Sequence, residues 1–114
     1  MEMYIAIVQI PIGKRGKEEA IESGKVSGPK FFGIEGLIRK YYLNGEAGSG
    51  GVYLWESKQA ADAWYNEDWW HRMEKSFGVR PTVTYYDSDV TVDNITHELC
   101  VEGKALALQK EAAE

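Results

Sequence analysis

Residues 4–10 read Tyr-Ile-Ala-Ile-Val-Gln-Ile and stop at Pro11 and Gly13, which predicts a strand rich in β-branched residues and buried on both faces. Residues 17–32 change to helical spacing through Ala20, Ile21 and Phe31 or Phe32, with Gly24, Gly28 and Pro29 in the way. A helix broken near Gly28 is expected. Residues 37–43 and 52–56 return to aromatic and β-branched runs, and the glycine-rich stretch 44–51 between them predicts a hairpin with a long loop. Ser57 stands where a helix N-cap belongs. The alanine-rich stretch from Lys58 is interrupted at Asn66-Glu67-Asp68, so the second helix is expected in two pieces, 58–66 and 69–77, with Asp68 capping the second and Gly78 ending it. Residues 79–87 predict a fourth strand. Beyond Ser88 come a short apolar stretch at 90–95 and a weakly amphipathic helix from about Lys104.

The order strand, helix, hairpin, helix, strand predicts an α+β fold of the ferredoxin-like βαββαβ type, a four-stranded antiparallel sheet with two helices on one face. Residues 1–95 form the domain and 96–114 a C-terminal tail or helix belonging to it. Two helices cover one side of a sheet only. Since Ile5 and Ile7 alternate with Tyr4, Ala6 and Val8, and Val52 and Leu54 with Tyr53 and Trp55, the second face is apolar too and calls for a second copy of the chain. A homodimer closing into an α+β barrel is the expectation.

Composition narrows the partners. A chain of 114 residues, 44% hydrophobic, can build one core of its own, and two domains are not expected. Its formal net charge of −5, with no dense run of Lys or Arg, argues against nucleic acid and anionic membrane surfaces. The lone Cys100 forms no intrachain disulfide, and the N-terminus opens into a strand without a basic leader, so a cytoplasmic setting is expected. Two distant histidines and one cysteine predict no metal site. The stretch Gly48-Ser49-Gly50-Gly51 lacks the spacing of a phosphate cradle and precedes a strand, so no cofactor is expected.

Several strings resemble a mono-oxygenase family of small bacterial proteins within the dimeric α+β barrel superfamily. They are Ile34-Glu35-Gly36-Leu37-Ile38-Arg39-Lys40, Gly50-Gly51-Val52-Tyr53-Leu54-Trp55-Glu56, Ala60-Ala61-Asp62-Ala63-Trp64, Gly78-Val79 and Tyr86-Asp87. The resemblance spans residues 4–95 and extends to antibiotic-biosynthesis monooxygenases. It implies a cofactor-independent oxygenase acting on an aromatic or phenolic small molecule, in which the substrate's own anion reduces O₂. An isomerase or cyclase moving protons in the same pocket, and a non-catalytic ligand-binding dimer, are the alternatives. Haem-degrading oxygenases, also similar around Leu54 to Trp64, carry a ligating histidine about ten residues after that tryptophan. Here the position holds Glu74, with His71 three residues earlier and Gln9 standing for their strand asparagine.

Candidate chemistry centres on His71, whose imidazole is the side chain type that ordinarily titrates near neutrality and could accept a substrate proton. Turnover would then rise through an apparent pKa between about 6 and 7.5. Trp69 and Trp70 point about 100° apart on a helix, so one packs on the sheet and the other borders a cavity or the dimer seam. Arg39 and Lys40 face opposite sides of their strand. Arg39 is the expected cation for a substrate anion, with Tyr41, Tyr53 and Tyr85 as further substrate-binding residues. The pocket is expected between sheet and helices, lined by His71, Trp69 and Arg39.

Overall fold

The computed structural model describes residues 2–107. It is an α+β fold with a four-stranded antiparallel sheet and three α-helices. In chain order come β1 (Tyr4–Ile10), α1 (Lys17–Ser27) with a 3₁₀ turn (Gly28–Phe31), β2 (Leu37–Gly45), β3 (Gly48–Trp55), α2 (Lys58–Trp64), α3 (Glu67–Phe77) and β4 (Thr82–Asp87). The sheet order is β2-β3-β1-β4, with β2 and β4 at the edges. Three short strands follow, β5 (Val90–Asp93), β6 (Glu98–Val101) and β7 (Lys104–Ala105), paired antiparallel in a second small sheet. Among the described residues no helix is long and apolar enough to cross a membrane.

The first helical stretch leaves the α-helix at Gly28, where Pro29 cannot donate, and tightens into the 3₁₀ turn. The second is broken as its polar insert predicts, but the cap differs. Asn66, not Asp68, accepts from the Trp69 backbone N–H at 2.9 Å, which starts α3 two residues earlier than expected. Ser57 caps α2 by accepting from Ala60 N at 3.1 Å, and Gly78 closes α3 in the left-handed conformation at φ 72°.

The hairpin departs most from expectation. Its strands run on to Gly45 and Gly48, leaving a turn of only Glu46 and Ala47, so the glycine-rich stretch is strand and not loop. Glycine is needed there because the neighbouring backbone comes close. A Cβ on Gly50, at φ 137°, would sit 1.9 Å from the Val8 carbonyl oxygen, and one on Gly48 2.2 Å from that of Ile10.

The helices cover one face. Tyr4, Ala6, Val8 and Ile10 of β1 and Tyr53 and Trp55 of β3 are buried beneath Ala61, Tyr65 and Trp69. Trp55 donates its indole N–H to the Tyr65 hydroxyl at 3.2 Å, satisfying a polar atom deep in this aromatic layer. The opposite face is open. Ile5, Ile7, Val52 and Leu54 are only half-buried, and Tyr41 and Tyr86 beside them are 54% and 52% exposed. β1 is therefore apolar on both faces, as its sequence reads, but buried on one.

The tail corrects the expected helix from Lys104, since Lys104–Ala105 is strand β7 pairing with β6 and Leu106 and Ala107 have no regular structure; 108–114 lies outside the described residues. β5 to β7 project from the domain and stretch it to 54 × 31 × 24 Å. The radius of gyration is 16.5 Å, where about 13 Å is usual for this length.

Candidate functional site

The strand register decides which side chains face the helices. Residues directly paired across strands share a face, and Lys40 pairs with Tyr53, which pairs with the buried Ala6. Lys40 therefore points under the helices, while Arg39, paired with Leu54, turns to the open face. There Arg39 Nη1 lies 3.4 Å from the Tyr41 hydroxyl.

Between sheet and helices lies a cavity of about 250 Å³. Its floor is β1 and β3, through Val8, Ile10, Gly50 and Tyr53. One wall is α2 and α3, through Trp64, Trp69, Arg72 and Met73. The other is α1 and its 3₁₀ turn, where Ser23, Ser27 and Phe31 border it, with Lys40 and Tyr42 of β2 beneath. Helix α1 has no buried residue and leaves Ile21 and Val26 exposed, so it stands off the sheet and leaves room below. The Ser27 and Tyr42 hydroxyls, 2.7 Å apart, tie this helix to β2. Gly51 makes room for the side chains beside the cavity, since a Cβ there would lie 3.1 Å from the Tyr53 ring and 3.2 Å from Lys40 Cε.

Lys40 dominates the electrostatics. Its ammonium sits 3.6 Å from the Phe31 ring centroid, 4.0 Å from that of Tyr42 and 4.9 Å from that of Tyr53. Ring faces stabilise a cation there, but they do not replace its hydration, and burial lowers its pKa to about 8. Burial likewise pushes the Tyr53 phenol well above its ordinary value, with the nearby Tyr42 adding to the rise. Among the described residues no aspartate or glutamate borders the cavity. Arg15 and Trp64, which do border it, each hold a buried nitrogen, Nε and Nε1, without a hydrogen-bond partner. The Arg15 backbone is fixed at the far end of β2, its N–H donating to the Asn44 side chain at 3.0 Å and its carbonyl accepting from it at 2.9 Å.

Of the residues singled out from sequence, Trp69 and Tyr53 line this cavity. Arg39 does not. It borders a neighbouring outer cleft along the β2 edge, which shares Phe31, Lys40 and Tyr42 with the cavity. His71 does not line either space and is exposed, because two residues along α3 from the inward-facing Trp69 a side chain points to the opposite side of the helix. Trp70 is half-buried, edge-on to Trp69 at 5.0 Å, with the Arg80 guanidinium 4.3 Å from its ring. Tyr41 stands on the open face. Tyr85 stacks on Tyr4 at 5.7 Å near the β4 edge, away from the cavity. Glu74, where haem-degrading enzymes carry their ligand, pairs with Arg80. The described residues include no cluster of three or more His, Cys, Asp or Glu able to hold a metal ion.

Arg15 and Trp64 were not proposed as site residues from sequence, and Lys40 only as the alternative to Arg39 for the inward cation. The usable signal for Lys40 was strand parity, which needs the hairpin register. A two-residue turn at Glu46-Ala47 pairs residue 40 with residue 53, whereas a long loop leaves the pairing open. No family model matches the chain, and no curated protein matches it at a significant level.

Proposed function

We propose that this chain is a ferredoxin-like βαββαβ protein of the dimeric α+β barrel type. In this reading it binds a small aromatic or phenolic molecule in the cavity between sheet and helices and oxygenates it without a cofactor. The observation that carries the reading is the setting of Lys40, an amine with its pKa lowered to about 8 among aromatic rings, in a cavity no carboxylate borders. Aromatic walls at Phe31, Tyr53, Trp64 and Trp69 suit a planar ring. The family resemblance over residues 4–95 points to the same chemistry.

The base role passes from His71, outside the cavity, to Lys40. Its free amine takes a proton from an activated C–H of the substrate, and the ammonium so formed stays beside the carbanion and stabilises it. The anion gives its electrons to O₂, and the hydroperoxide formed loses water, so that R₂CH₂ + O₂ becomes R₂C=O + H₂O. The protein's part is to exclude water, hold the ring and keep the anion next to the cation.

Oxygen uptake with anthrone-like phenols and hydroquinones tests this. The kcat/KM, which reports the free protein, should rise with pH through an apparent pKa near 8. Lys40→Met should lower it by about 10²-fold or more, and His71→Ala should leave it within about twofold. An unchanged rate in Lys40→Met removes the mechanism. Absence of uptake for every substrate leaves the isomerase or binding alternatives.

A further inference from the structure

We infer that the ligand of this cavity is an aromatic acid, a planar ring system carrying a carboxylate together with a second oxygen acceptor. The inference rests on the cavity between sheet and helices being the substrate site, and narrows what that site accepts.

Three residues that border this space carry a donor without an acceptor among the described residues. Two of them, Arg15 Nε and Trp64 Nε1, are buried nitrogens, and the third is the Lys40 ammonium, half-buried among aromatic rings. Buried donors are ordinarily paired, and leaving one unmatched costs far more than a made bond gains, so a cavity holding several is shaped for something that brings acceptors. Two of the three are cationic, and among the described residues the one other charged residue on the wall, Arg72, is cationic too. A net-negative protein that gathers cations around one cavity, without a carboxylate, selects an anion there.

The donors belong to three separate parts of the chain: β2, the connection from β1 to α1, and α2. Arg15 is anchored beside Asn44, four residues along β2 from Lys40, a backbone distance of about 13 Å. Donors carried on separate elements are matched by a ligand with acceptors at more than one position. A carboxylate offers two oxygens and about four lone-pair directions, and a hydroxyl or carbonyl across the ring reaches the remaining donor. The rings of Phe31, Tyr53 and Trp64 require the part between to be flat and apolar. At about 250 Å³ the space lies just below the range of drug-sized sites, which fits one or two rings and no more.

The test is calorimetric titration of the full chain at pH 7 with 6-hydroxy-2-naphthoate and with 6-hydroxy-2-naphthamide, which share shape and hydroxyl and differ in charge. The acid should bind at least about tenfold tighter than the amide. Lys40→Met should remove most of that preference. Arg15→Met and Trp64→Phe, which keep the bulk of each side chain, should each weaken the acid by roughly three- to tenfold, as loss of one hydrogen bond does. If Lys40→Met does not fold, the other two variants decide. Equal affinity for acid and amide, or a preference untouched in all variants, overturns the acid assignment while leaving the cavity as the binding site. Failure of both compounds to bind overturns the cavity assignment as well.

Discussion

Lys40 keeps an ammonium where water only partly reaches it, which gives its titration a consequence for folding. Its pKa is about 8 in the folded chain against an ordinary 10.5, so between these values the unfolded chain binds more protons. The desolvation cost is fully present below pH 8 and is relieved as pH rises toward 10.5. Stability of the wild type relative to Lys40→Met should therefore rise across that window by on the order of 1 kcal/mol, discounted for the exposed part of the side chain. Paired denaturant melts at pH 7.5 and 10 measure it, and an unchanged difference contradicts the burial of the amine. The comparison with the variant cancels the tyrosines, among which Tyr53 and Tyr65 titrate above their ordinary range because burial disfavours the phenolate. At this scale the sequence was legible in residue type more than in direction. A cation on this part of β2 could be foreseen, but whether Arg39 or Lys40 turned inward depended on a register that residues 37–56 did not reveal. Trp69 was legible through helical spacing. The same spacing, once α3 is placed with Trp69 and Met73 inward, turns His71 outward.

Among the elements, helix ends were the most legible, because caps act locally. Ser57, the break at Gly28 and Gly78 follow from single residues, and the one misplaced cap, Asp68 for Asn66, reflects two residues of the same capping chemistry two positions apart. Asn66→Ala should cost about 1 kcal/mol, read as a lower denaturant midpoint, with Asp68→Ala nearly neutral. Equal effects would place the cap at Asp68. The hairpin was misread because a run of glycines carries the turn signature whether it lies in a loop or in a crowded strand. What separates the two is the approach of β1, a contact between residues distant in sequence. Gly50→Ala should accordingly be among the most damaging small substitutions, with loss of cooperative unfolding or more than about 3 kcal/mol. Gly45→Ala, which meets nothing within 4 Å, should be mild. Thermal melts distinguish them, and similar stabilities would contradict the strand assignment of residues 48–51.

On the scale of the whole molecule, the apolar alternation in β1 and β3 pointed to an uncovered sheet face, and that face is open in the single chain. The projecting β5–β7 sheet was not legible, since short strands of mixed polarity lack a period long enough to count. It leaves Val92 71% exposed and Ile95 91% exposed. Ile5, Ile7, Val52, Leu54 and the arm together present more apolar surface than a solitary domain ordinarily leaves in water, which supports the proposed homodimer. Light scattering at micromolar concentration should return twice 12.9 kDa, and Val52→Glu, at the centre of the open face, should shift the particle toward one chain. A monodisperse wild-type monomer would contradict the pairing. The central claim, that the cavity around Lys40 is the binding site, is tested most directly by indole N–H resonances, since only one of the four tryptophans holds an unpartnered buried indole at that cavity. On adding 6-hydroxy-2-naphthoate, the Trp64 Nε1–H signal, assigned through Trp64→Phe, should move downfield as it gains an acceptor, while that of Trp70 outside the cavity stays in place. A Trp64 signal unmoved at saturating ligand, or a shift confined to Trp70, would contradict it.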